Sequence, residues 1–313
     1  MKPKIIVANW KCNPESSQEA QKLFGISDKK NVVIAAPYLF LHLGKELTYA
    51  QLGAQDAFLD NGAFTGEVSS RQLVKAGVKS VILGHSERRI YFGETDELIV
   101  QKAKAALDFG LSVIICIGES QREREEGTMM AGRTIRRDVI NSLSGIPPKR
   151  SGKITVAYEP IWAIGTGETP NPTDINERAK LIKSTAESLG LFGVNVLYGG
   201  SVDENNCSDF LNQPEIDGLL VGGASLVSEK IAKIIKIMNN LNGDIYPVVH
   251  KEVPAKTKPA KEVKRGTTKK KTETKKTVTL KPKKALAKKQ AKPALKPKKS
   301  PFSKVKKSVK KKK

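Results

Sequence analysis

The sequence predicts an α/β protein: a (β/α)8 barrel followed by a disordered basic tail. Three observations predict it. Eight short, apolar, β-branched runs recur between residues 4 and 226. Charged segments of helical spacing lie between them. The first run ends in Asn9-Trp10-Lys11-Cys12, where an open doubly wound sheet would carry a Gly-rich turn. Strand and helix alternating eight times close into a parallel barrel.

The strand candidates are 5–8, 32–36, 52–55, 81–84, 113–117, 154–157, 194–198 and 218–222. Most lack polar alternation, the pattern of parallel strands buried on both faces. Helical periodicity covers 16–24, 97–108, 132–143 and 174–189. The last of these opens with Thr173 or Asp174 as cap and Glu177 near the third helical position. A further helix, 229–241, sets Ile231, Ile234, Ile235 and Met238 on one face, suited to packing on a barrel exterior.

Charge divides the 313 residues in two. The net charge of +23 resembles that of a nucleic-acid binder, yet residues 251–313 hold 27 Lys/Arg and 3 Glu. Out of totals of 55 and 32, this leaves 28 basic and 29 acidic residues in 1–250. We expect a barrel over 1–245 and a Lys/Pro/Ala-rich tail over 246–313. The tail has little apolar content and recurrent prolines, so it is expected to be disordered alone. A flexible polycation binds nucleic acid or other polyanions by counterion release, with little sequence choice. Within 251–313 Phe302 is the one aromatic, so base stacking has no regular platform.

Cys12, Cys116 and Cys207 are an odd set without metal-ligand spacing, which fits a reducing, cytoplasmic setting. The apolar run 5–8 is too short for a signal sequence. No stretch reaches 18 apolar residues, so no membrane span is expected.

A barrel places its chemistry at the C-terminal strand ends. Glu159 closes the sixth run, and Pro160 then stops the strand. Behind them, Ile161-Trp162-Ala163-Ile164-Gly165-Thr166-Gly167 has the makings of a closing lid. An ordinary strand-to-helix loop with one exposed Glu has the same local pattern. His85 follows the fourth run, and an imidazole there can move a proton between two oxygens. A histidine satisfied by a backbone carbonyl is the alternative. Lys11 follows the first run; it either neutralises an anion or is a solvated surface charge. Gly199-Gly200-Ser201 and Gly222-Gly223 follow the seventh and eighth runs, where backbone N–H groups can approach a phosphate.

Five motifs together carry a family resemblance: Asn9-Trp10-Lys11, 84–89, 158–167, 198–202 and 220–226. In order and spacing they closely resemble the triosephosphate isomerase family, over about residues 4–240. The resemblance implies a TIM barrel that interconverts two small phosphorylated trioses in glycolysis and gluconeogenesis. It implies Glu159 as the base and His85 as a neutral electrophile. Lys11 would supply positive charge, with Asn9 positioning it. Gly165, Ser201, Gly222 and Gly223 would hold the phosphate. Glu87 would be the carboxylate beside the lysine, and Cys116 would pack beneath the base. No metal or organic cofactor is implied. A homodimer is implied, with Phe64 exposed on the loop 62–67 and Thr65 reaching the partner's site. Cys12 would lie near that interface. Two departures stand out: Glu168 sits where the family often has Lys, and the body is slightly short.

Overall fold

The computed structural model describes residues 2–163 and 169–243. Eight strands form a closed parallel barrel in sequence order: β1 Ile5–Asn9, β2 Val32–Ala35, β3 Gln51–Ala54, β4 Ser80–Leu83, β5 Ser112–Ile117, β6 Ile154–Tyr158, β7 Asn195–Tyr198 and β8 Gly218–Val221. The ring closes where Ile5 pairs with Gly218 and Ala8 with Val221. Each strand lies within a residue or two of its expected position.

Residues alternate between the two faces of each strand. Val7, Ala35, Ile82, Ile114, Cys116, Ala157, Leu197 and Leu220 point inward and fill the barrel. Their neighbours, including Ile6, Ile34, Val81, Ile115 and Val156, join the larger core beneath the helices. Both faces are therefore dry, which explains the unbroken apolar runs in the sequence.

The helices are α1 Ser17–Ser27, α2 Ser70–Lys75, α3 Ser86–Phe92, α4 Asp96–Asp108, α5 Gln121–Glu125, α6 Thr128–Leu143, α7 Pro172–Ser188, α8 Cys207–Leu211 and α9 Ser228–Leu241. In α9, Ile231, Ile234, Ile235 and Met238 are buried as their spacing predicts. Each such side chain stabilises the fold by about 1.5–3 kcal/mol relative to exposure. The start of α7 differs from expectation. Asn171 is its cap and accepts from the Thr173 N–H, with Pro172 in the first turn. Proline's fixed φ and missing N–H suit that position, so the helix begins earlier than its first charged residues indicate.

The helix that follows β4 is held by a buried ionic cluster. Lys102 on α4 lies 2.9 Å from Asp56 and 2.5 Å from Glu94. Arg88 on α3 reaches the same two carboxylates at 2.8 and 2.7 Å. Burial pushes the Asp56 carboxyl up against the pull of Lys102. Burial acts on Glu94 too, but hydrogen bonds from Lys102 and Arg88 outweigh it and hold Glu94 below its ordinary value. The two cations and two anions balance, as a low-dielectric interior demands.

Among the described residues, no helix is long and apolar enough to cross a membrane. The tail, 246–313, lies outside the described residues.

Candidate active site

The C-terminal strand ends open into a cavity of about 280 Å³. Asn9, Lys11, His85, Glu159, Ser201, Gly222 and Gly223 all line it, so residues from β1, β4, β6, β7 and β8 meet at one mouth. Gly165 lies outside the described residues, as does most of the expected lid.

Glu159 is 1% exposed. Its backbone N–H still donates to Ile117 O at 2.8 Å, so the carboxylate rides on the rigid end of the sheet. The Ser86 N–H donates to Oε2 at 3.1 Å. Oε1 lies 3.0 Å from His85 Nε2 but has no aligned hydrogen bond. Beneath it, burial and then the Glu159 carboxylate push the Cys116 thiol well up, which keeps the thiol neutral. Gly118 permits this placement. A Cβ there would sit 1.7 Å from Glu159 O.

His85 caps α3, and its Nδ1 accepts the Glu87 N–H at 3.2 Å. A nitrogen that accepts carries no proton, so the ring is neutral and its one proton sits on Nε2, facing Glu159. Gly84, at φ 65°, lets the chain turn from β4 directly into this cap.

Lys11 Nζ lies 2.5 Å from Glu87 Oε1. Its backbone is left-handed, at φ 54°, and Asn9 Oδ1 holds its N–H at 3.1 Å. A lysine in that region costs about 1–2 kcal/mol, a strain typical of functional positions. Lys11 Cε also passes 3.3 Å from where a Cβ on Gly222 would stand, so glycine there leaves the ammonium its path.

Ser201 Oγ donates to Ala163 O at 2.5 Å, tying the turn after β7 to the segment after β6. Asn206 Nδ2 donates to Ser201 O at 3.1 Å and braces that turn. Behind Gly222-Gly223 stands a short 3₁₀ turn, Gly223–Leu226, closed by Ser225 Oγ donating to Gly222 O at 2.7 Å.

Sequence reasoning did not single out Glu119. It is buried just past β5 and accepts from the Tyr158 hydroxyl at 2.9 Å and from Trp162 Nε1 at 3.2 Å. Burial, then Glu119, pushes the Tyr158 hydroxyl well up, so it remains a donor. The Arg124 guanidinium stands 3.4 Å over the Trp162 ring. A carboxylate directly after an apolar strand and a glycine was the available signal.

A carboxylate on a strand end, a neutral imidazole beside it and a lysine ammonium share this mouth. They define an enzyme of the (β/α)8 class equipped for proton transfer. The family model described as triosephosphate isomerase matches residues 4–238. A protein named triosephosphate isomerase from Thermoanaerobacter sp. (strain X514) is 43% identical over 251 residues, covering 75% of this chain and 99% of that protein. One of the same name from Carboxydothermus hydrogenoformans is 42% identical over 252 residues, with 75% and 99% covered. Another from Picosynechococcus sp. is 42% identical over 246 residues, with the same coverage. The chain belongs to the triosephosphate isomerase family and is an isomerase.

Proposed function

We propose that the protein interconverts dihydroxyacetone phosphate and glyceraldehyde 3-phosphate through an enediolate, as a cytoplasmic enzyme of glycolysis and gluconeogenesis. The observation that carries this reading is the pairing of Glu159 with a neutral His85 at 3.0 Å. Glu159 takes a proton from one substrate carbon and returns it to the next. His85 Nε2–H donates to the oxygen that gains charge and recovers the proton from its neighbour. A neutral donor suits this exchange because it gives and regains the proton without a large energy step. The Lys11 ammonium offsets the negative charge of the enediolate, and Glu87 holds the ammonium in place. The backbone at Gly222 and Gly223, with Ser201, cradles the phosphate; Gly165 is its expected further donor. A lid over 160–167 would exclude the water that lets an enediolate shed its phosphate.

The active form is read as a homodimer. Phe64 is 49% exposed, while Tyr91 and Phe92 on α3 are each 70% exposed. Large apolar side chains left in water fit a face covered by a second copy. The domain reading remains a barrel over 1–245 and a tail over 246–313, the tail binding nucleic acid or other polyanions through its 27 Lys/Arg in 251–313.

A coupled isomerase assay on the full chain and on residues 1–245 tests both halves of this reading. Equal turnover in the two supports a barrel that works alone. No turnover in either would sink the enzyme reading. Heparin should retain the full chain at low salt and release the shorter one. Retention of both would remove the tail's role.

A further inference from the structure

A second cleft reaches Glu159. It has a volume of about 40 Å³ and shares Glu159 with the mouth cavity, but its other lining residues differ. Ser86, Arg89, Cys116, Gly118 and Asp138 stand around it. A water needs about 10–15 Å³ of such space and two or more polar partners, so the cleft has room for two or three. Polar partners are present in the Asp138 carboxylate, the Ser86 hydroxyl and Glu159 itself. The Glu159 carboxylate that the two cavities share is itself buried.

Asp138 stands on α6 with its side chain 16% exposed, so one edge meets solvent. Arg137 Nη2 holds its Oδ1 at 3.0 Å. Arg89 from α3 and Asp96 from α4 are the other charges acting on it. Burial, above all, raises its carboxyl to about 6. A carboxyl poised there accepts and gives up protons readily near neutrality, and a group so perturbed in a cleft is a candidate for function.

We propose that this cleft is a proton-exchange route, in which Asp138 and intervening waters link the protonated Glu159 to solvent while substrate fills the mouth. The proposal rests on the isomerase reading above. After Glu159 has taken a proton from carbon, that proton passes through water to the Asp138 carboxylate and out. A solvent proton returns by the same path. Glu159 is protonated before and after, no electrons move, and the isotope alone changes. Asp138 acts through Glu159 and does not touch substrate. The route decides whether the product keeps the hydrogen that the substrate brought.

The test follows isotope rather than rate. The full-length protein converts unlabelled glyceraldehyde 3-phosphate in deuterium oxide, and the product is reduced as it forms so that it cannot return. NMR then reads hydrogen against deuterium at the carbon that received the proton. Asp138→Asn keeps the shape and removes the acid–base group. Its product should retain the substrate hydrogen about threefold more often, or more, with kcat within about twofold. Asp138→Glu should restore the original ratio. An identical ratio in all three proteins overturns the proposal, as does a lowered kcat with an unchanged ratio, which marks a structural role. Absence of turnover in the unsubstituted protein defeats the functional reading itself, and this proposal with it.

Discussion

His85 Nε2 lies 3.0 Å from Glu159 Oε1, joining the end of β4 to the end of β6 across 74 residues of chain. The direction of the contact follows from the other side of the ring, where the Glu87 N–H occupies Nδ1. Glu159→Ala should lower kcat by about 10³-fold or more, and His85→Gln by about 10²-fold or more, as positioned acid–base groups do. Circular dichroism melts should show both variants folded. A kcat within about tenfold of the original for Glu159→Ala would remove it as the base.

Lys11, the proposed positive charge at the mouth, holds a left-handed backbone. Its left-handed φ of 54° is one that glycine adopts freely. Its ion pair with Glu87 is about one-third exposed on both sides and contributes little to stability. Lys11→Gly should therefore leave the melting temperature unchanged or raise it, while kcat/KM falls by about 10²-fold or more. A variant that loses stability and activity together would make Lys11 a structural residue.

Lys102 stands between two buried carboxylates. Lys102→Met keeps the volume of the chain and leaves Asp56 and Glu94 short of a cation. Removing one partner of such a cluster costs about 3–5 kcal/mol, because the remaining charges stay buried. Urea unfolding should show a loss of that size. A loss below about 1 kcal/mol would mean that Arg88 alone satisfies both carboxylates.

Asp138 makes stability depend on pH. Its carboxyl sits at about 6 in the folded protein against an ordinary 3.8. The folded state holds the proton more tightly than the unfolded state, so its contribution is complete below about 4 and is lost as pH rises through 6. Asp138→Asn removes this loss. Screening by the water at its exposed edge trims the effect, leaving a gain of roughly 1–2 kcal/mol at pH 7. Thermal melts at pH 4 and pH 7 should show that gain at pH 7 alone. An equal shift at both values would trace it to packing instead.

Much of the candidate site was legible in the chain because each part is a short local pattern at a strand end. Asn9-Trp10-Lys11, the run 84–89 and the paired glycines after β7 and β8 stood out by residue type and place. The buried carboxylate of Glu119 did not, since its partners Tyr158 and Trp162 lie about 40 residues away. The α7 cap lies before its expected position for a different reason. Asn171 is followed by Pro172, and the apolar periodicity that marks a helix begins only beyond them. The part of the lid from 164 to 167, including Gly165, lies outside the described residues.

By itself the sequence determined the barrel, its strand ends and the division of charge between body and tail, because strand burial and charge density are local properties of the chain. Tertiary structure alone decided which nitrogen of His85 carries the proton, which carboxylates Lys102 must neutralise and that Asp138 looks into a cleft behind Glu159. Each of these is a matter of ångströms between residues far apart in the chain, and residue spacing carries no such distance until the ring of strands closes.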